Sequence, residues 1–241
     1  MTRSVESAKA PAKPKFPNGQ DRSSASLAWY RVVQWSTAIL LSSFHDIRAT
    51  GRSNIPKAGG ALLVSNHVSY LDVFMIGILL HRPLNYVARS TLFFPPLGGL
   101  IRSVGGFPIQ REGLGASGMK ETLKRLRAGG LVALFPEGTR SVDGELGEIK
   151  AGISLLGARA RTPIIPAALV GSFESWPRTR KFPKPHPLHI HFGPAISTER
   201  IASLAPEDLT KLIRDQVLEC QAIARERLAM RVGSIAGDVG Y

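Results

Sequence analysis

Gly60-Ala61-Leu62-Leu63-Val64-Ser65-Asn66-His67-Val68-Ser69-Tyr70-Leu71-Asp72 is the stretch on which the fold turns. Its first part is a short apolar run opened by glycine, the pattern of a strand buried on both faces. From Tyr70 to Leu80 the length and apolar spacing become those of a helix. A buried strand that runs into a helix is the repeating unit of a mostly parallel α/β sheet. His67 then stands at the strand's C-terminal mouth. Such sheets bind ligands at that edge, because the loops there vary while the strands below hold them rigidly.

Five positions along one continuous helix would leave His67 and Asp72 roughly 140° apart, at about 100° per residue. His67 must therefore precede the helix. With Ser69 as N-cap and Asp72 as the third helical residue, the turn folds His67 back within reach of the carboxylate. A carboxylate so placed fixes the imidazole tautomer and leaves the other ring nitrogen as a general base. The same residues also satisfy a plainer pattern, because Ser69-x-x-Asp72 is by itself a capping box.

Outward from this stretch, strands are expected over Leu84–Ala88, Gly105–Arg111, Leu131–Phe135, Pro163–Leu169 and Leu188–Phe192, and helices over Ala116–Arg127, Lys150–Arg161 and Pro206 to about Met230. The expected class is α/β: a mostly parallel mixed sheet flanked by helices, with an N-terminal membrane-associating helix. Residues 1–24 read as a disordered basic tail, 25–50 as an interfacial helical segment, 51–230 as the main domain and 231–241 as a C-terminal tail. Between Ser26 and Phe44 the chain is strongly apolar, with Arg31 its only charge and Trp29, Tyr30 and Trp35 near one end. Amphipathic rings favour the headgroup region, so a helix lying in a membrane interface fits. A helix docked on the soluble core competes with it. A spanning helix needs about 20 apolar residues, a length reached here only by including Arg31, Gln34 and several Ser and Thr.

The formal net charge of +13 and pI near 10.5 call for anionic partners. Nucleic acid is disfavoured, since the positive residues are scattered and no reader motif with interleaved aromatics is present. The run Pro177-Arg178-Thr179-Arg180-Lys181-Phe182-Pro183-Lys184-Pro185 suits anionic lipid headgroups. One cysteine, Cys220, excludes an internal disulfide and a Cys-rich metal site.

Three strand ends converge on one edge: His67 with Asp72, then Arg111, then Glu137 with Arg140. Guanidinium forks match phosphate oxygens, Gly138 lets a backbone approach a ligand, and Pro136 stiffens the turn. These blocks resemble the glycerophospholipid acyltransferases, especially the bacterial 1-acylglycerol-3-phosphate acyltransferases. Asn66-His67 through Asp72 resembles their His-x4-Asp block, Gly105 to Arg111 the second, Phe135-Pro136-Glu137-Gly138-Thr139-Arg140-Ser141 the third and Ile164-Ile165-Pro166 the fourth, while Lys150-x-Gly152 matches a further Lys/Gly position. Pro108 and Arg89 depart from the usual pattern.

The resemblance implies a direct transfer without an acyl-enzyme. His67, oriented by Asp72, deprotonates the free hydroxyl of a lysophospholipid acceptor, which attacks the thioester of acyl-CoA or acyl-carrier protein. Arg111, Glu137, Gly138, Thr139, Arg140 and Lys150 form the substrate site. No cofactor or metal is implied beyond the acyl-CoA or acyl-carrier-protein co-substrate. The implied location is the cytoplasmic face of the inner membrane, peripheral or monotopic, on the phospholipid surface. Lyso-ornithine lipid or another lysophospholipid is an alternative acceptor.

Other patterns compete less well. Gly113-x-Gly115-x-x-Gly118 matches a dinucleotide fingerprint, with Glu137 farther on, yet Glu137 already belongs to the third block. Ser117-x-x-Lys120 is more simply a helix cap. His189 and His191 share one strand face, expected to be a solvated edge.

Overall fold

The computed structural model describes residues 22–109 and 115–238. The proposed acceptor residue Arg111, Gly113 of the dinucleotide pattern and all but the end of the basic N-terminal tail lie outside the described residues. In chain order the elements are α1 (Ser24–Phe44), β1 (Ile47–Thr50), β2 (Ala61–Ser65), α2 (Asp72–Leu79), β3 (Leu84–Arg89), α3 (Leu97–Ser103), β4 (Gly106–Ile109), α4 (Gly115–Arg127), β5 (Leu131–Leu134), α5 (Gly152–Ala160), β6 (Ile164–Val170), α6 (Ser172–Ser175), β7 (Leu188–Phe192), α7 (Thr198–Ala202) and α8 (Pro206–Asp238). The helix expected to stop near Met230 therefore continues through most of the expected C-terminal tail.

Among the described residues seven strands form one sheet, in the order β1-β7-β6-β2-β5-β3-β4. From β6 to β4 all neighbours are parallel, and β7 runs antiparallel to β6 while pairing in parallel with β1. The expected mostly parallel mixed sheet is thus present. β2 lies at its centre and every residue of it is buried. Because side chains alternate along a strand, Leu62 and Val64 join a core with α4, α5, α7 and α8, while Ala61 and Leu63 join a second core on the opposite face with α1 and α2. A run apolar on both faces is what a strand covered on both sides requires.

β1 was not expected, since four residues containing Arg48 carry little pattern, yet it pairs with β7 and closes that edge. The histidines of β7 are consequently not on a solvated edge. Both bond to Thr50 Oγ1 of β1, His189 Nε2 at 3.0 Å and His191 Nδ1 at 2.8 Å. Burial holds both imidazoles below their ordinary pKa. Pro108 sits in β4, an outer strand, where its missing N–H disrupts no central ladder.

α1 turns polar groups toward the protein and leaves large apolar side chains exposed. Its buried residues are Tyr30 and Gln34. Gln34 donates to the carbonyls of Gly77 (2.7 Å) and Leu80 (3.0 Å), satisfying the end of α2, and Tyr30 Oη accepts from Leu84 N–H at 3.1 Å. Trp35, Ile39 and Leu40 are meanwhile 66%, 72% and 62% exposed. Among the described residues no helix is long and apolar enough to cross a membrane.

Candidate active site

The turn between β2 and α2 is organised by one buried carboxylate. Asp72 is fully buried, so its charge must be met by donors. Oδ2 accepts from the backbone N–H of Val68 (2.7 Å) and Ser69 (2.8 Å) and lies 2.8 Å from His67 Nδ1. Oδ1 accepts from Ser172 Oγ at 2.9 Å. The helix starts at Asp72 itself, with Leu71 as N-cap, and not from a Ser69 cap as expected. The difference is physical: the carboxylate reaches backwards to the turn, and Ser69 Oγ is occupied by Leu71 N–H and the Trp176 carbonyl. Only half of the capping box is therefore formed.

With Nδ1 given to Asp72, His67 keeps Nε2 for chemistry. Among the described residues that atom has no hydrogen-bond partner. The imidazole is partly exposed and stacks on Phe135, with centroids 4.0 Å apart and planes at 15°. Asn66, also fully buried, exchanges two bonds with the backbone of Leu169 at 2.8 and 2.9 Å and so locks the end of β2 to β6.

β5 delivers the third block to the same edge, because β5 and β2 are neighbours. Both carboxylate oxygens of Glu137 are engaged by backbone donors. Its Oε1 accepts from His67 N–H at 2.8 Å and its Oε2 from Gly147 N–H at 3.1 Å. Burial raises its pKa, and the two backbone donors partly offset that. Ser141 N–H closes the seam by donating to the His67 carbonyl at 2.7 Å. Gly138 has φ +70°, and a Cβ there would meet Lys150 Nζ at 2.8 Å, so Lys150 lies directly over this turn. Thr139 is exposed, and the Arg140 guanidinium lies 3.5 Å from the Tyr70 ring centroid. Arg140 Nη1 is buried without a hydrogen-bond partner. An unpaired buried guanidinium nitrogen is suited to an anion.

Sequence reasoning missed Ser172, whose only local signal is the glycine before it. Gly171 has φ +83°, and a Cβ there would strike the Pro187 carbonyl at 2.2 Å. Glycine thus lets the chain leave β6 and aim Ser172 at Asp72, 100 positions earlier. No thiol competes with the histidine: Cys220 is buried and its pKa is pushed up to about 12 by that burial. Among the described residues no group of three metal-ligating side chains is present.

Residues 46–170 match the acyltransferase family. The chain belongs to that family. This acyltransferase is 27% identical over 193 residues to a 1-acyl-sn-glycerol-3-phosphate acyltransferase of Bacillus subtilis, covering 77% of this chain and 96% of the relative. A protein of the same description from Pseudomonas aeruginosa is 25% identical over 202 residues, covering 80% of this chain and 75% of that one. The acyltransferase also shares its fold with the crystal structure of the 1-acyl-sn-glycerophosphate (LPA) acyltransferase PlsC from Thermotoga maritima, with a TM-score of 0.74, 21% identity, and coverage of 85% of this chain and 83% of that one.

Proposed function

We propose that this acyltransferase moves a fatty acyl group from acyl-CoA or acyl-carrier protein to the free hydroxyl of 1-acylglycerol-3-phosphate, forming phosphatidic acid. The observation that carries the reading is the His67–Asp72 pair, with Nε2 free, beside the unpaired Arg140. A thioester is already activated, so the reaction chiefly needs a base, positioning and charge stabilisation. In this mechanism Nε2 takes the proton of the acceptor hydroxyl as its oxygen attacks the thioester carbonyl carbon. The tetrahedral intermediate collapses, the carbon–sulfur bond breaks, and the departing thiolate takes the proton from Nε2, which returns His67 to its free-base form. Asp72 keeps the proton on Nδ1 and stabilises the imidazolium.

Arg140 and Lys150 hold the acceptor's phosphate in this reading, with the Gly138–Thr139 backbone beside them; Arg111, which lies outside the described residues, is assigned the same role from the sequence alone. Glu137 acts through His67, by fixing its backbone, and does not grip the acceptor. The relatives' names support the glycerol-phosphate acceptor.

The same reading seats the enzyme on a phospholipid surface without crossing it. The outward apolar face of α1, continued by Phe74 (51% exposed) on α2, supports this. So does the loop of residues 178–184, where Phe182 is 68% exposed among Arg178, Lys181 and Lys184. Each basic side chain near an anionic membrane is worth about 1 kcal/mol. Removing these charges should weaken binding to anionic vesicles, and unchanged binding would refute the loop's part.

The deciding experiment measures transfer from labelled acyl-CoA, and in parallel from acyl-carrier protein, to lysophosphatidic acid and to lyso-ornithine lipid. Product with lysophosphatidic acid that disappears in His67→Ala supports both acceptor and base. Product only with lyso-ornithine lipid overturns the acceptor and keeps the base.

A further inference from the structure

Arg140 has neither a hydrogen bond nor an ion pair among the described residues; its guanidinium lies against the Tyr70 ring. At 3.5 Å from Cζ to the ring centroid, an edge-on approach would drive the guanidinium nitrogens inside van der Waals contact with the ring. The guanidinium plane therefore lies over the ring. Held by its face, it keeps its N–H edges for a ligand.

Tyr70 is itself braced. Its ring packs against Trp176, with centroids 5.1 Å apart and planes at 43°. The residue before it, Ser69, donates through Oγ to the Trp176 carbonyl at 2.8 Å. The stack thus joins three separate segments: the His67 turn, the third block and the start of the basic loop. Tyr70 is nevertheless 42% exposed.

We propose that Tyr70 is a positioning residue of the acceptor site. It holds Arg140 by a cation–π contact, so that the guanidinium edge meets the phosphate monoester of a lysolipid presented to His67. The proposal rests on the function argued above and assigns to the ring, not the phenolic hydroxyl, the part that matters.

The test is steady-state kinetics with lysophosphatidic acid on full-length Tyr70→Phe, Tyr70→Leu, Arg140→Met and the Leu/Met double variant, each checked for an unchanged circular dichroism spectrum. Tyr70→Leu should raise the acceptor KM about tenfold, with kcat and the donor KM within about twofold. Tyr70→Phe should match the wild type. The double variant should lose no more than Arg140→Met alone, because the ring acts only through the guanidinium. A fall in kcat without a change in acceptor KM, a Tyr70→Phe that behaves as Tyr70→Leu, or additive losses would each overturn the proposal. If Arg140→Met raises the acceptor KM but Tyr70→Leu does not, only the stack is wrong. An unchanged acceptor KM in Arg140→Met would overturn the phosphate role of Arg140, and this proposal with it.

Discussion

The two segments that meet at His67 are built on opposite principles. The β2–α2 turn closes on itself, and three of the four groups around the Asp72 carboxylate come from residues three to five positions earlier. The segment after β5 works at long range, since Glu137 bonds to a backbone N–H 70 positions away. A local turn is specified by its own residues, whereas a long-range brace exists only because β5 lies beside β2 in the sheet. The proposed base thus sits on the self-contained segment, and the dependent one holds its backbone.

Breaking the local side should have the largest effect. His67→Ala is expected to lower kcat about 10³-fold or more with the fold retained, and near-normal turnover of the purified variant would remove His67 from the chemistry. Glu137→Gln attacks the long-range side. One amide oxygen can still accept, but the amide nitrogen then faces the second backbone donor. A fall of about 10- to 100-fold in kcat is expected from misalignment of His67, together with about 1–3 kcal/mol of lost stability. Lost stability with unchanged kcat would show that the brace does not align the base.

Ser172→Ala removes one neutral donor from a well-satisfied carboxylate, so a fall of about fivefold in kcat is expected. It sharpens the comparison, because Ser172 is the one distant member of the Asp72 set. The smallest effect concerns pH. Burial raises the Glu137 pKa above 4.5, so the native state binds that proton more tightly than the unfolded chain. This contribution to stability is complete below pH 4.5 and is lost as pH rises through the native value. The wild-type melting temperature relative to Glu137→Gln should therefore decline over that window by about 2 °C. A constant difference across it would mean that Glu137 does not titrate there.

The pattern of legibility follows the same division. β2, β3, β5, β6 and α4 were readable to within a residue or two, because buried strands and an amphipathic helix carry their period in the chain. The His67–Asp72 pairing was readable because its geometry is local. The inward turn of Glu137 was not, since a carboxylate in a glycine-rich loop looks the same whether it faces a ligand or two backbone amides. Ser172 could not be read as a partner of Asp72, being one serine among many until β6 is set beside β2. β1 escaped for lack of length, and with it the burial of His189 and the partial burial of His191.

α1 makes the division clearest. From composition it could have packed on the core or faced a membrane, because an apolar helix has no preferred direction until something occupies one side. Gln34 and Tyr30 fixed which side meets the protein, by bonding backbone groups of α2 and β3, and that left Trp35, Ile39 and Leu40 exposed. What the chain determined by itself is what depends on neighbouring residues: strand burial, helix spacing and the His67–Asp72 pair. Tertiary structure alone decided which polar groups were left to be satisfied from far away. A buried donor or acceptor must find its partner wherever the sheet order places one.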